Sequence, residues 1–533
     1  MTDTGRIPLI VGVTGHIALR EADVPAIRAA VRAELEKLRA KYPHTALAML
    51  TSLAAGSDML CADVARELDI PVLAALPMEP EAYKEDFTPA DAARFDAHCA
   101  RARWVDVAPD AERAPEHPER AYHYRQASIY VATHCHALMA LWDGSAPDAK
   151  RCGTGATVDI ALNGAYTPEG GDPVLAGDCP MVIHILAPRD EADERPAGEV
   201  RYLGDEAALS RILDQTETFN RLSDRGGAGG TLLPDEACAG DPVLERMNAL
   251  YHTASRLSRG FAATYRRILA LLATASTLLT FAFLMYDEVE AIWMILLCGA
   301  MLGLALFCHR YAVSSDCHRQ YIECRALAEW LRVQAYLRYA GSGLRVTSLL
   351  TWTQSLETAW IASALRAVSI GSAPRSAHDI RDCWVNAQRD YHGGAIGRTA
   401  SSLRRSEGVV RVALMISASL YLAAVLFELC SGGLGLRPLL ALDDVELYRT
   451  ALKVILGTLS AATVFIANYY GKQSLPRKLS DHGKMARFYA RASERLAEHG
   501  QSEALLRRLA REELIENGNW CSYQRDNRPD ISF

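Results

Sequence analysis

The sequence has no CxxC pair and no excess of basic residues, and each absence excludes a class of protein. Its 13 cysteines are scattered over 533 residues, which predicts reduced thiols in a cytosolic setting rather than a disulfide scaffold. The net charge of -7 gives no reason to expect nucleic acid as a partner. His134-Cys135-His136 lacks further ligands nearby and predicts a helix end entering a strand, so we expect no metal site. Met1 to Arg6 leads directly into a strand-like run, and we expect no signal peptide.

Charged residues are almost absent from four apolar stretches in the second half of the chain. Each stretch holds 17 to 19 residues, close to the ~20 residues that a helix needs to cross a bilayer. The stretches are 268–286, 291–308, 412–430 and 454–470, and the third contains one acid, Glu428, near its end. Their lengths and pairing predict membrane-spanning helices. The alternative is a set of long buried helices in the core of a soluble protein.

Charges around these stretches predict their orientation. Basic residues precede the first stretch and follow the second, whereas the turn 287–290 between them is acidic. The second pair repeats the pattern, although Arg437, Arg449 and Lys453 weaken it. By the positive-inside rule, both termini and residues 309–411 face the cytoplasm. The flanking basic residues are Arg256, Arg259, Arg266, Arg267, Arg310, Arg319 and Arg325 for the first pair, and Arg404, Arg405, Arg411, Lys472, Arg477 and Lys478 for the second.

The first 190 residues alternate short apolar runs with segments of helical periodicity, which predicts a parallel sheet covered by helices, hence an α/β fold. In such sheets, ligands bind outside the carboxyl ends of the strands, so the loops after the strands are the places to search for a site. The predicted strands are 8–13, 46–50, 71–76, 104–107, 137–142 and 181–186, and the predicted helices are 23–38, 60–68, 92–102, 122–134 and 157–163.

Glycine-rich loops follow the first two predicted strands. After the first strand, glycines let backbone amides approach an anion, and Thr14 can donate a hydroxyl hydrogen bond. The second loop opens a helix whose amides and dipole favour an anion, with Ser57 as a further donor. We expect Asp58 either to bind a ribose hydroxyl or to cap the helix. The predicted ligand-binding residues are Gly12, Thr14, Gly15 and His16 in the first loop, and Ala55, Gly56, Ser57 and Asp58 in the second.

A third glycine-rich segment follows the strand 137–142. Trp142 offers an aromatic surface on which a base could stack, and the glycines before the next helix form another phosphate cradle. Arg125, on the preceding helix, either meets a phosphate or lies solvated on the helix surface. Together the three segments predict a nucleotide site, in which we assign no catalytic residue. The predicted residues of this part are Arg125, Trp142, Asp143, Gly144, Gly153, Thr154 and Gly155.

Longer patterns in the chain resemble two known families. VGVTGH, SLAAGSDMLCADVA, LPMEPEAYKEDF, and LMALWDG followed by GTGAT resemble the SLOG superfamily, a Rossmann-like nucleotide-binding group, over residues 7–190. The paired apolar stretches and the ending ENGNW resemble SLATT domains, two-span effectors found beside nucleotide sensors in bacterial conflict systems. This resemblance implies a homo-oligomer in the bacterial inner membrane that binds a nucleotide second messenger, of cyclic or phosphorylated adenine type. It further implies permeabilisation of the bilayer in antiphage defence, and a signal-producing enzyme encoded nearby.

Two other functions remain open. The SLOG superfamily includes the lonely-guy phosphoribohydrolases, which use an arginine and the glutamate of a GGxGTxxE loop. Residues 152–159 read CGTGATVD instead, and only Asp159 could replace the glutamate. A membrane-tethered nucleoside monophosphate hydrolase is therefore the first alternative. The second is a structural membrane anchor that recruits a partner enzyme.

The expected organisation has four parts. Residues 1–190 form the SLOG-like domain, and 191–243 form a linker with an extra helix. Residues 244–411 form a first SLATT-like two-span helical unit, and 412–533 form a second with C-terminal cytoplasmic helices. A helix from residue 244 is expected to enter the first span without a break, and 317–339 to form another long helix. Segments 190–200 and 225–230 are charged or glycine-rich, which predicts linkers.

Overall fold

The structure is a computed structural model, which describes residues 5–109, 119–147, 152–164, 179, 181–224, 229–351, 354, 357–374, 376–429, 445–471 and 474–526. The chain divides into two compact units. Unit 1 comprises Met1–Leu257, Ala326–His378 and Leu506–Ile515. Unit 2 comprises Ser258–Arg325, Asp379–Leu505 and Glu516–Phe533.

Unit 1 contains a seven-stranded sheet in the order β4-β3-β2-β1-β5-β6-β7. The strands are β1 (Leu9–Gly15), β2 (Leu47–Thr51), β3 (Val72–Leu76), β4 (Trp104–Val107), β5 (Ala137–Trp142), β6 (Met181–Leu186) and β7 (Val200–Gly204). The first six are parallel and β7 is antiparallel to β6. The predicted α/β sheet is therefore confirmed. The prediction missed β7, which follows the segment predicted as a linker, because its residues are half-buried or exposed and show no apolar run.

Helices cover both faces of this sheet: α1 (Val24–Lys41), α2 (Ser57–Glu67), α3 (Pro80–Lys84), α4 (Pro89–Cys99), α5 (Arg120–His134), α6 (Thr154–Asn163) and α7 (Glu206–Leu222). Alternate residues of β1 enter two cores. Leu9 and Val11 pack with α1 and α2 on one face, whereas Ile10 packs with α5 and α6 on the other. Each buried aliphatic side chain of this kind contributes about 1.5–3 kcal/mol. Burial on both faces therefore fixes β1 and the loop that follows it.

The remaining helices form the large C-terminal part: α8 (Asp235–Cys238), α9 (Pro242–Glu288), α10 (Met294–Ser315), α11 (Cys317–Tyr339), α12 (Ala359–Val368), α13 (Ala387–Glu428), α14 (Val445–Gly471), α15 (Leu475–His499) and α16 (Glu503–Asp526). The unbroken helix predicted from residue 244 into the first span is confirmed by α9, which is 47 residues long. The helix α11 has the predicted bounds.

Four helices of the described residues are long and apolar enough to cross a membrane. Their most apolar windows are at most 22% buried, and that of α13 is not buried at all. Large apolar side chains such as Leu296, Phe307 and Val464 are more than half exposed. Such a surface suits lipid and not water, so the alternative of buried core helices does not hold. The acid Glu428 ends α13, and its side chain lies outside the described part of the chain.

Candidate functional site

A cavity of about 680 Å³ opens at the carboxyl ends of β1 and β5. The strand order runs through β2, β3 and β4 on one side of β1 and through β5 and β6 on the other, so the cavity lies at the topological switch point of the sheet, where ligands of open α/β folds bind. Eight of the predicted site residues line it: Thr14, Gly15, His16, Ala55, Asp58, Gly153, Thr154 and Gly155.

The N-terminus of α6 forms one wall of this cavity. Gly153 precedes the first turn of α6 with an extended backbone, and a Cβ atom added to it would meet nothing within 4 Å. Gly155 is more confined, because a Cβ atom there would lie 2.7 Å from the carbonyl oxygen of Ser145. The free amides of the first turn and the helix dipole give this wall a positive potential, which suits a phosphate.

The loop after β1 is fastened to the start of α2. The carbonyl oxygen of His16 accepts hydrogen bonds from the backbone nitrogen of Ser57 at 3.1 Å and from its hydroxyl at 2.7 Å. Gly15 permits this approach, since a Cβ atom there would be 2.4 Å from Cβ of Ser57. Gly56, with φ +76°, would place a Cβ atom 1.9 Å from the carbonyl oxygen of Ile17. Gly56 and Ser57 therefore support the loop from behind the cavity wall.

Three other predicted residues lie beside the cavity and not in its wall. The backbone amide of Asp143 donates to Nε2 of His16 at 3.1 Å, and a carboxylate oxygen of Asp143 lies 3.2 Å from the same nitrogen. Trp142 donates through Nε1 to the hydroxyl of Ser145 at 3.3 Å. Gly144 has φ +87°, which lets the chain turn after β5. Asp143 therefore positions His16, and Trp142, predicted as a surface for base stacking, is not among the residues that line the cavity.

His16 is nearly buried, and burial lowers its pKa, with a smaller lowering effect from Arg189 and an opposing effect from Asp143. The imidazole is therefore neutral at pH 7, with Nε2 accepting the hydrogen bond from the Asp143 amide. A neutral histidine adds no charge to the cavity. It can still form a hydrogen bond with a ligand.

Asp58 is buried in the cavity wall and organises the loop after β2. Its carboxylate accepts a hydrogen bond from the hydroxyl of Thr51 at 2.7 Å, and the same hydroxyl oxygen accepts from the amide of Leu53 at 3.0 Å. Burial raises the pKa of Asp58 to about 6, against the opposing effect of hydrogen bonds from the Thr51 hydroxyl and from the backbone of Ala54 and Ser52. Leu53 has φ +53°, a strained value for a branched side chain. Asp58 thus serves the loop and also faces the cavity.

Sequence reasoning missed several residues of the far wall. Arg120 donates to a carboxylate oxygen of Asp86 at 2.6 Å and to the carbonyl of Ala82 at 2.9 Å, and the hydroxyl of Tyr124 also donates to Asp86. Burial raises the pKa of Asp86, but these two donors outweigh it and leave the pKa below its ordinary value. Arg189 adds a second guanidinium to the lining. Arg189 lies in the loop that follows β6, three residues after Leu186, so the strand-end rule could have identified it.

The last predicted residues serve other roles. Gly12 lies within β1, where a Cβ atom would be 2.9 Å from Sγ of Cys135, so this glycine lets α5 approach the sheet. Arg125 is on α5, outside the cavity wall. Asp159 accepts a hydrogen bond from the side-chain amide of Asn163 at 2.8 Å, also outside the wall.

No protein-family model matches the chain, and no curated protein is significantly similar to it.

Replacing Asp58 by asparagine is expected to change how stability depends on pH. The pKa of Asp58 is about 6 in the folded protein and about 3.9 in an unfolded chain. The folded state thus holds this proton more tightly, and the resulting stabilisation of about 3 kcal/mol is present below pH 4 and lost as the pH rises through 6. Melting of the full-length protein in detergent between pH 4 and pH 7 measures it. Asp58→Asn should flatten the dependence of melting temperature on pH, whereas the exposed control Asp69→Asn should leave it as in the wild type. The same pH dependence in the wild type and in both variants would contradict a raised pKa of Asp58.

Proposed function

We propose that the protein is a membrane receptor for a phosphorylated or cyclic adenine-type nucleotide. Binding makes the helical part oligomerise and open a pore or disrupt the bacterial inner membrane, as an antiphage defence. The observation that carries this proposal is the continuity of α9. This helix begins in unit 1 and ends in an apolar segment long enough to span a bilayer. A continuous helix transmits displacement or rotation along its length, so a change in unit 1 can reach the membrane.

The cavity supports a nucleotide as the ligand. Its volume of about 680 Å³ lies within the range of sites for small molecules. The first turn of α6 and the guanidinium groups of Arg120 and Arg189 suit phosphate groups. Tyr83, Phe87 and Tyr124 supply an aromatic lining for a base. The ionised carboxylate of Asp58 suits a ribose hydroxyl.

The apolar helices support a multi-pass protein with both termini in the cytoplasm. Two basic residues that weaken the charge pattern of the second pair have acidic partners in unit 2. Lys453 lies 2.8 Å from Glu288, and Arg449 lies 3.8 Å from Glu446. The positive-inside rule counts basic residues and not net charge, so these two cations still weaken the pattern although each has an acidic partner. The first of them also links the acidic turn 287–290 to the start of α14.

This orientation predicts which cysteines can be labelled from outside the cell. A cysteine replacing Glu288 should react with a membrane-impermeant maleimide in intact cells, whereas one replacing Arg319 should react only after permeabilisation. Cysteines in 432–449, of which 432–444 lie outside the described residues, should behave like Glu288→Cys. The wild type, with its native cysteines, is the background control. Labelling of Arg319→Cys in intact cells would show that the orientation is the reverse of the proposed one. The nucleotide-binding domain would then lie outside the cytoplasm, where a cytosolic signal cannot reach it.

Hydrolysis of a nucleoside monophosphate is the second candidate function, because Asp58 is a buried acid with a pKa of about 6 in the cavity, as a general acid or base requires. The acid that the lonely-guy resemblance implied, Asp159, lies outside the wall. Incubation of the purified protein with a nucleoside monophosphate separates the two functions. Retention of one nucleotide per site supports the receptor, and steady release of free base supports the enzyme. A nucleotide-making enzyme encoded beside the gene would further support a receptor.

A further inference from the structure

A groove of about 630 Å³ lies along α13, within unit 2. Its described lining includes Glu407, Val410, Arg411, Leu414, Met415 and Ala418. Steps of three and four residues place these side chains on one face of the helix. None of them lines the switch-point cavity at β1 and β5, so the α13 groove is a separate feature of the molecule.

The C-terminal part of the α13 groove is apolar and exposed. Leu414 and Met415 are each more than half exposed, and both belong to the apolar stretch 412–430. The most apolar window of α13 has no buried residue. Such a surface does not suit water, so in a bilayer it is covered by acyl chains or by an apolar helix of another chain.

The N-terminal part of the α13 groove carries one charge of each sign. Arg411 directly precedes the apolar stretch, and Glu407 lies one turn before it, about 6 Å along the helix axis. Both residues are exposed, and neither forms an ion pair within the described part of the chain. Arg404 and Arg405, further from the apolar stretch, are also exposed but lie outside the described lining. Both charges of the groove are therefore available to another molecule.

The order of these groups matches one class of phospholipid. From the apolar end, the groove presents an aliphatic surface, then a cation and then an anion. An ethanolamine phospholipid presents acyl chains, then an anionic phosphate and then a primary ammonium. Arg411 can donate paired hydrogen bonds to the phosphate, and Glu407 can accept a hydrogen bond from the ammonium.

Other common headgroups match the groove less well. A choline headgroup keeps the positive charge, but its quaternary nitrogen has no hydrogen to donate to Glu407. A glycerol headgroup carries no cation, so Glu407 would face the phosphate without a charge partner. The pair of charges therefore favours ethanolamine, whereas Arg411 alone would accept the phosphate of any phospholipid.

We propose that the α13 groove binds a phospholipid with an ethanolamine headgroup, with Arg411 as the ligand of the phosphate and Glu407 as the ligand of the ammonium. The proposal rests on membrane insertion of α13, which the proposed function also requires, and not on nucleotide binding. A lipid bound in this way would hold Arg411 at the level of the phosphates and so set the depth of α13 in the bilayer.

Photoactivatable lipids test this site on the full-length, wild-type protein. Vesicles of dioleoylphosphatidylcholine receive equal mole fractions of a phospholipid that carries a diazirine in one acyl chain and an ethanolamine, choline or glycerol headgroup. Peptide mass spectrometry then counts cross-links in 410–418 relative to those in 294–308 of α10, which serves as the reference for lipid contact. This ratio should be about threefold to tenfold higher for ethanolamine than for the other two headgroups, the effect of one charge-assisted hydrogen bond.

The possible outcomes separate this site from membrane insertion. Equal ratios for the three headgroups would overturn the site, while cross-links in α10 would still support insertion. An absence of lipid cross-links from all four apolar helices would overturn the site together with insertion. Cross-links between two copies of the chain through 410–418, in place of lipid, would show that a second copy covers the groove and would also overturn the site.

Three variants give a second measurement. Arg411→Gln should lower the ratio for ethanolamine by about fivefold, the effect of one basic residue near the membrane surface. Glu407→Gln should remove the preference for ethanolamine over choline. Arg405→Gln makes the same charge change on the same helix outside the described lining, and should leave the ratio unchanged. An equal loss in Arg405→Gln and Arg411→Gln would show a general effect of charge and contradict direct binding by Arg411.

Discussion

Gly153→Glu is expected to reduce nucleotide affinity by about a hundredfold, the effect of losing charge-assisted hydrogen bonds to a phosphate. Gly153 precedes the first turn of α6 in the wall of the switch-point cavity, and a Cβ atom added to it meets no described residue within 4 Å. The new carboxylate can occupy the amides that would otherwise hold the phosphate, and it repels the anion. Because the position is open and its backbone is extended, the fold and the membrane insertion should be retained.

Gly153→Gln is the matched control, because it adds nearly the same volume without the charge. Gly153→Gln should reduce nucleotide affinity clearly less than Gly153→Glu does. Calorimetry on the detergent-solubilised protein with AMP, cyclic AMP, ADP-ribose and cyclic dinucleotides measures both variants. Gly56 is a poorer position for this test, since a side chain there collides with the carbonyl of Ile17 and would disrupt the loop itself. Wild-type affinity in Gly153→Glu would remove the start of α6 from the site.

Continuous apolar runs between polar residues were enough to predict most of the sheet. The bounds of β4, β5 and β6 agree with the prediction to the residue. For β5 and β6 the reason is that buried parallel strands form continuous apolar runs with clear ends. The strand β7 escaped prediction because it forms an edge and carries exposed polar residues. The long helices were predicted because their apolar segments far exceed the length of a strand.

The cavity was harder to predict than the fold. The rule that ligands bind at strand ends identified the correct loops, yet it could not separate two uses of glycine. Gly153 lies in the cavity wall with free space around it, whereas Gly12 and Gly56 lack a side chain because Cys135 and the Ile17 carbonyl pack closely against them. Arg120 and Tyr124 join the site only because α5 packs near α3. Nothing in the local sequence records that tertiary contact.

The small polar residues of the apolar helices bear on whether one chain could form a pore. The hydroxyl of Thr274 donates to the carbonyl of Ala270 at 2.9 Å, and that of Thr463 donates to the carbonyl of Leu459 at 2.8 Å. Such a bond gives the hydroxyl hydrogen an acceptor within its own helix, so the hydroxyl donates no hydrogen bond to water. A water-filled path therefore requires several chains or displaced helices. The proposed function then requires the nucleotide to bind the assembled state more tightly than the unassembled state.

Gly260→Pro is expected to abolish nucleotide-dependent leakage from proteoliposomes while nucleotide affinity stays at the wild-type value. Gly260 lies in α9 between its unit 1 residues and the apolar stretch that begins at Ile268. A proline inside a helix removes a hydrogen bond and clashes with the preceding turn, at a cost of about 3 kcal/mol, which interrupts α9. Gly260→Ala is the matched control and should leak as the wild type does, since alanine favours the helix. Dye release with and without saturating nucleotide measures all three proteins. Dye release by Gly260→Pro equal to that of the wild type would show that α9 does not carry the signal. If the wild-type protein releases no dye at saturating nucleotide, a membrane anchor is favoured over a pore.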